Sequence, residues 1–141
     1  MIKTIRDFEF KNKRVLVRCD FNVPLSSSFS SETKILDDFR IKETLPTIKY
    51  LLKKEAKVIL MSHLGRPEGR KAEELRLTPI QKRLSEYLDV SVAKSLDCIG
   101  SETEKLAFEM KPGDILLLEN LRFQPGEESN DESFSKKLAR L

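Results

Sequence analysis

Three short runs of unbroken apolar residues, Val15-Leu16-Val17, Val58-Ile59-Leu60-Met61 and Ile115-Leu116-Leu117-Leu118, most constrain what this chain can fold into. A strand wetted on one side alternates apolar and polar residues. A strand without alternation is buried on both faces, as in a parallel sheet covered by helices. Between the first two runs, Ile41, Leu45, Ile48 and Leu52 recur at helical spacing on one face, with lysines over much of the rest. Pro46 falls inside that pattern and leaves two readings, a helix starting near Thr44 with proline in its first turn or a longer helix kinked there. Thr78-Pro79 opens a second helix, continued by Ile80, Leu84 and Leu88 and ended by Asp89, with a short Val90-Ser91-Val92 strand after it. Glu102–Met110 reads as a third helix, and Lys111-Pro112-Gly113-Asp114 is the turn into the last strong strand. This βαβαβ rhythm predicts an α/β fold, a three-layer α/β/α Rossmann-like domain with a mainly parallel sheet. Asn130–Leu141, with Phe134 and Leu138 four apart, reads as a further helix from which the chain is expected to return into another strand. The domain is therefore expected to be incomplete at its C-terminal end.

A chain of 141 residues holds one domain, burying about 65–70% of the surface its unfolded form exposes. The net charge of +3 is the difference between 26 basic and 23 acidic residues, a balance that does not indicate nucleic acid or an anionic membrane as partner, so anion binding must be local. Cys19 and Cys98 form no CxxC pair, and the single histidine cannot complete a zinc site with them. Free thiols in a reducing cytoplasm are expected, and no apolar run reaches the ~20 residues of a membrane span. Ser26–Ser31 reads as a flexible surface loop.

Ligands of open parallel sheets sit past the carboxyl ends of the strands. The three strong strands run out into Arg18-Cys19-Asp20-Phe21-Asn22-Val23-Pro24, Ser62-His63-Leu64-Gly65-Arg66-Pro67 and Glu119-Asn120-Leu121-Arg122-Phe123. Arginine there offers a planar, permanently charged fork matched to phosphate or carboxylate, so a multiply anionic small molecule is the natural partner. Gly65 allows a tight turn, but no Walker lysine or G-x-G-x-x-G motif is present, and ATP binding is not supported by the motifs. Each residue also has a plainer reading. His63 could be a hydrogen-bonded surface histidine, Asp20 and Asn22 could shape the turn before Pro24, Arg40 could pair with Asp37, and Arg122 could answer Glu119.

Taken together, Arg18–Pro24 (RCDFNVP), Asp37–Ile41 (DDFRI), Ser62–Pro67 (SHLGRP) and Leu116–Phe123 (LLLENLRF), with Leu77-Thr78-Pro79, closely resemble the N-terminal domain of phosphoglycerate kinase, from about Arg6 to the chain end. The resemblance implies a monomeric cytoplasmic kinase of glycolysis that moves a phosphoryl group between 1,3-bisphosphoglycerate and ADP. Its N-terminal domain holds 3-phosphoglycerate, and its C-terminal domain holds the magnesium nucleotide, the two closing over a cleft. Residues 1–141 match part of the first domain only. This chain is thus expected to supply the substrate-binding half, to hold no ATP, ADP or magnesium itself, and to be inactive alone. By the same resemblance Asp20 and Asn22 contact the glycerate end, and His63, Leu64, Gly65 and Arg66 with Arg122 hold the distal phosphate. Arg40 binds nearest the chemistry and steadies the phosphoryl group in flight, as the catalytic residue.

Several positions depart from the family pattern. Segments that follow in the family, including one that supplies a further phosphate-binding arginine, lie outside these residues. The loop Ser26–Lys34 is longer and richer in serine, Cys19 replaces a small apolar residue, and Glu55 stands where glycine is common before Ala-Lys-Val. The left-handed helix stop is expected to give way there to another turn. Two other readings remain open, a non-catalytic phosphoglycerate or anion-binding module and a partly folded fragment that binds nothing specifically.

Overall fold

The computed structural model describes residues 1–26 and 32–141, and in it the three apolar runs become neighbouring strands of a wholly parallel sheet. Strands β1 (Arg14–Arg18), β2 (Lys57–Met61), β3 (Val92–Lys94) and β4 (Ile115–Leu117) lie in the order β1-β2-β4-β3. Val58 pairs with Val15 on one side and Ile115 on the other, which sets the register of the central strands. Helices α1 (Phe39–Lys53), α2 (Thr78–Leu88), α3 (Ser101–Glu109) and α4 (Glu132–Ala139) cover the sheet.

The lack of alternation now has its physical cause, because successive residues of β2 and β4 enter two different apolar layers. Val58, Leu60, Ile115 and Leu117 pack with Ile41, Ile48 and Leu51 of α1 and Ile80 and Leu84 of α2. Ile59, Leu116 and Leu118 pack on the opposite face with Ala107 of α3, Phe134 of α4 and Leu141. Each such buried aliphatic side chain contributes about 1.5–3 kcal/mol relative to exposure. At the sheet margin, Val15, Leu16 and Val17 of β1 are only half-buried. No helix among the described residues is long and apolar enough to cross a membrane.

Local signals explain most boundaries. Helix α1 runs unbroken through Pro46, so the longer helix is the one that forms. Pro46 faces solvent, where water can satisfy the carbonyl its missing N–H leaves over. Asp89, in the left-handed region at φ 51°, closes α2. The strand after it begins at Val92, two residues later than the sequence suggests. Val90 and Ser91 complete the turn, and Val92 is tied back to α2 through Ser85 Oγ and Gln81 Nε2. Asp131 caps α4 by accepting from the Phe134 N–H at 2.7 Å. Both cysteines are buried and unpaired, and burial pushes the Cys19 thiol up to about 12 and that of Cys98 upward as well. Apart from Ser26, the expected flexible loop Ser26–Ser31 lies outside the described residues.

Glu55 corrects one expectation. No substitute turn forms, and Glu55 itself takes the left-handed stop after α1 at φ 58°. Its N–H donates to Leu52 O, its carbonyl accepts from the Asn12 N–H at 2.9 Å, and its carboxylate meets Lys11 at 3.2 Å. The ion pair is exposed and weak, whereas a left-handed backbone costs a non-glycine residue about 1–2 kcal/mol. Glu55→Gly is therefore expected to raise stability by about 1 kcal/mol in urea unfolding, and a lower midpoint would show that the contacts of Glu55 outweigh its strain.

One polar tie joins the helices of the first layer. Asp38, at the start of α1, accepts hydrogen bonds from Tyr87 and Arg83 of α2 and pairs with Lys42 at 3.1 Å. The Tyr87 hydroxyl, acting against burial and helped by Lys42 and Arg83, holds the Asp38 carboxyl at about 2 instead of its ordinary 3.8. A depressed carboxyl stabilises the fold above its unfolded pKa and loses that contribution as pH falls through the folded value. Asp38→Asn is expected to lower the melting temperature at pH 7 and to flatten the fall in stability between about pH 4 and pH 2. Parallel acid profiles for the two proteins would refute this tie.

Candidate functional site

The parallel sheet sends all its strands out at one edge, and the exits of β1, β2 and β4 are bound to one another there. The ladder continues beyond the strands through Cys19 N–H to Met61 O at 2.8 Å and Leu118 N–H to Leu60 O at 2.9 Å. Buried Ser62 then serves both neighbours. Its hydroxyl accepts from the Phe21 N–H at 2.9 Å, and its carbonyl accepts from the Leu121 N–H at 3.0 Å. Asn120, fully buried, clamps the two right-hand exits. Its Oδ1 accepts from the N–H groups of Leu64 and Arg122, and its Nδ2 donates to the carbonyls of Leu64 and Leu75.

Upon this frame sit two groups of polar side chains. In the first, Arg40 on the opening turn of α1 donates through Nη1 to Asp20 Oδ1 at 3.2 Å and to the Asn22 carbonyl at 2.8 Å. Asp37 instead accepts from the Phe39 N–H, so the plainer pairing of Arg40 with Asp37 does not form. Asp20 Oδ1 also accepts from the Asn22 N–H at 3.1 Å, the turn-shaping bond the sequence allows. Asn22 does more, because its Oδ1 accepts from the Gly65 N–H at 2.9 Å and joins the β1 exit to the β2 exit. Gly65 turns there at φ 63°, and a Cβ would stand 2.8 Å from a Leu75 methyl.

The second group surrounds His63. Arg122 does not answer Glu119. Its Nε donates to Glu127 Oε2 at 3.0 Å, while Glu127 Oε1 accepts from Arg18 Nη2 at 2.9 Å. Glu119 is instead 1% exposed and held by Lys94, Arg76 and the Leu77 N–H. His63 Nδ1 is buried without a hydrogen-bond partner among the described residues. The residue as a whole is half-buried. Burial first, then the positive charges of Arg122 and Arg18, hold its pKa below the ordinary 6.5, against smaller opposing effects of Glu127 and Asp20. Arg66 is exposed and makes no hydrogen bond or ion pair among the described residues. Leu64 is buried at 2%, so what it offers the site is its place in the loop.

Three contributors lay outside the set singled out from sequence. Arg18 opens the RCDFNVP segment, but its role depends on a partner 109 residues away. Glu127, in a polar Gly-Glu-Glu stretch, carries no local signal. Asn120 was legible as a member of LLLENLRF but not as a clamp.

At the strand exits of this α/β sheet, arginines stand beside a half-buried imidazole whose Nδ1 is buried and unpartnered among the described residues, a donor set whose chemistry suits phosphate or carboxylate. Comparison with known proteins is more specific. The family profile of phosphoglycerate kinase matches residues 5–141, and the chain belongs to that family. It is 54% identical over 138 residues to the phosphoglycerate kinase of Moorella thermoacetica, covering 98% of this chain and 34% of the relative. It is 57% identical over 140 residues to that of Dictyoglomus turgidum, covering 99% and 34%. The structure of the Pyrococcus horikoshii phosphoglycerate kinase superposes with a TM-score of 0.83 at 35% identity, covering 99% of this chain and 34% of that one. The chain spans about a third of the length of the relatives it matches.

The clamp can be tested directly. Asn120→Ala leaves the paired N–H and C=O groups of Leu64 and the N–H of Arg122 without the carboxamide, at about 1–3 kcal/mol for each buried group that stays unpaired. The variant is expected to lose several kcal/mol in urea unfolding. Retention of wild-type stability would mean that the two exits hold their places without it.

Proposed function

We propose that these 141 residues are the phosphoglycerate-binding part of a phosphoglycerate kinase, which transfers a phosphoryl group between ATP and 3-phosphoglycerate in glycolysis. The observation that carries this reading is the gathering of His63, Arg122 and Arg18 around one buried, unpartnered imidazole nitrogen, tied through Gly65 and Asn22 to Arg40 and Asp20. A three-carbon hydroxy acid carrying a carboxylate at one end and a phosphate at the other fits a site with cationic groups at both ends.

The hydrogen bonds already made leave definite groups for substrate. Asn22 Oδ1 is occupied by the Gly65 N–H, so its Nδ2 is the donor left for the glycerate end. Asp20 Oδ1 is occupied by Arg40 and the Asn22 N–H, and its Oδ2 is left to accept from a substrate hydroxyl. Arg66, which makes no hydrogen bond or ion pair among the described residues, joins His63 and Arg122 on the distal phosphate. The loop of Leu64 and Gly65 brings the backbone close to it. Arg40 lies nearest the carboxylate that receives the phosphoryl group and is the catalytic residue, lowering the barrier by neutralising charge as it develops. The magnesium nucleotide belongs to the part of the polypeptide beyond this chain, and the whole acts in the cytoplasm as a monomer.

Titration of the chain with 3-phosphoglycerate at moderate salt, followed by amide NMR, tests the reading. Saturable shifts are expected at Asp20, His63, Arg66 and Arg122. Because a charge-assisted hydrogen bond contributes about 1.5–3 kcal/mol, Arg66→Ala is expected to weaken binding by roughly one to two powers of ten. A bound dianion favours the charged imidazole, so saturation is also expected to raise the pKa of His63, the only histidine. A well-dispersed spectrum without shifts would sink substrate binding by this chain. Restored phosphoryl transfer on adding the nucleotide-binding portion of a relative would separate an enzyme half from a non-catalytic module.

A further inference from the structure

We propose that Glu127 is a positioning residue of the anion site, a carboxylate that spans Arg18 and Arg122 and fixes the direction in which both guanidinium forks face the ligand. The inference rests on the binding reading above. Glu127 lies in the segment after the β4 exit, where its N–H donates to Gln124 O at 3.2 Å and its carbonyl accepts from the Asn130 N–H at 3.4 Å. Its side chain is 10% exposed and gives one oxygen to each arginine, Oε1 to Arg18 Nη2 at 2.9 Å and Oε2 to Arg122 Nε at 3.0 Å. Glu128 adds only a looser approach to Arg122 at 3.6 Å from an exposed side chain.

The geometry decides against Glu127 as a mere neutraliser. On Arg122 the bond is made through Nε, and its terminal N–H groups make no hydrogen bond to the described residues, which leaves them for an anion. Arg18 is 46% exposed and Arg122 25%. Such long side chains carry large rotamer freedom that a ligand must otherwise freeze. One nearly buried carboxylate restrains both before the ligand arrives. Burial alone would raise the Glu127 carboxyl, yet the hydrogen bonds from Arg18 and Arg122 prevail and lower it, so the bridge stays charged at neutral pH. A negative charge beside an anion site also repels the anion. Restraint and repulsion therefore predict opposite outcomes when Glu127 is changed.

The test uses three variants of the chain. Glu127→Gln keeps the shape but cannot accept from both arginines, Glu127→Asp keeps the charge but is one methylene too short to span them, and Glu127→Ala removes the group. All three are expected to weaken 3-phosphoglycerate binding on the order of tenfold. The loss from Glu127→Ala should shrink in an Arg122→Ala background, because its partner is already gone. Tighter binding by Glu127→Gln would overturn the proposal in favour of repulsion. Wild-type binding by Glu127→Asp, or fully additive losses with Arg122→Ala, would overturn the bridge. A second readout needs no substrate. Arg122, Arg18, Glu127 and Asp20 are the charges that face His63, so Glu127→Gln should lower the pKa of the imidazole and Arg122→Ala should raise it. If the wild-type chain ignores 3-phosphoglycerate, the binding reading fails while this titration still decides the bridge; an unmoved His63 in Glu127→Gln would refute it.

Discussion

A carboxylate and a carboxamide buried side by side at the exit of β4, Glu119 and Asn120, are the constraint on which the rest of the site depends. Neither can be left dry without partners, since an unpaired buried amide costs several kcal/mol and an unpaired charge more. The fold satisfies both by bringing distant segments to them. Glu119 draws in Lys94 from β3, Arg76, and the N–H at the start of α2. Asn120 draws in the backbone of Leu64, Leu75 and Arg122. Two polar side chains thereby fix the β2 exit, the β4 exit and the first turn of α2 relative to one another, and the cost of removing them from water becomes positional order.

Sealed polar groups and exposed charges are divided between depths. Ser62, Glu119 and Asn120 are sealed and saturated with hydrogen bonds. Arg40, Arg66 and Arg18 stand in solvent. The exposed Arg40–Asp20 pair adds little to folding, so its consequence is directional: it holds a guanidinium beside Asn22, itself pinned to Gly65. His63 lies between these depths, its pKa held below the ordinary value by burial and by neighbouring arginines.

The fold was legible where burial alone decides. The runs at Val58–Met61 and Ile115–Leu118 announce two-sided strands, and the periodicity of Ile41 to Leu52 announces α1. Boundaries decided by competition were less legible. Pro46 sits within α1 because its face is wet, Glu55 adopts a backbone usually left to glycine, and β3 starts late because Asp89 ends α2 first. In the site, the motifs located Asp20, Asn22, Arg40, His63, Arg66 and Arg122 at one edge of the sheet, but not their partners. The bonds of Arg18 to Glu127 and of Phe21 to Ser62 cross 109 and 41 residues, and local pattern does not encode such pairings. Arg40 and Arg122 accordingly had nearby carboxylates as their plain partners, while the structure gives Arg40 to Asp20, 20 residues away, and Arg122 to Glu127, 5 residues away on the other side.

The exposure of these arginines also sets a physical limit on what the proposed half-site does alone. Two unit charges 4 Å apart attract by about 1 kcal/mol in bulk water and by about 4 kcal/mol at the effective dielectric of a partly covered protein surface. In the proposed kinase, Arg40, facing water in this chain, would retain only a fraction of the stabilisation it could give a phosphoryl group in transit, whereas short hydrogen bonds such as that of Gly65 to Asn22 are weakened less by solvent. Ground-state recognition can thus be built into an open surface, but charge stabilisation of a transition state requires a second surface to exclude water. On the proposed reading, a chain that spans a third of its relatives serves the first task. The second, in the proposed kinase, depends on what closes over Arg40.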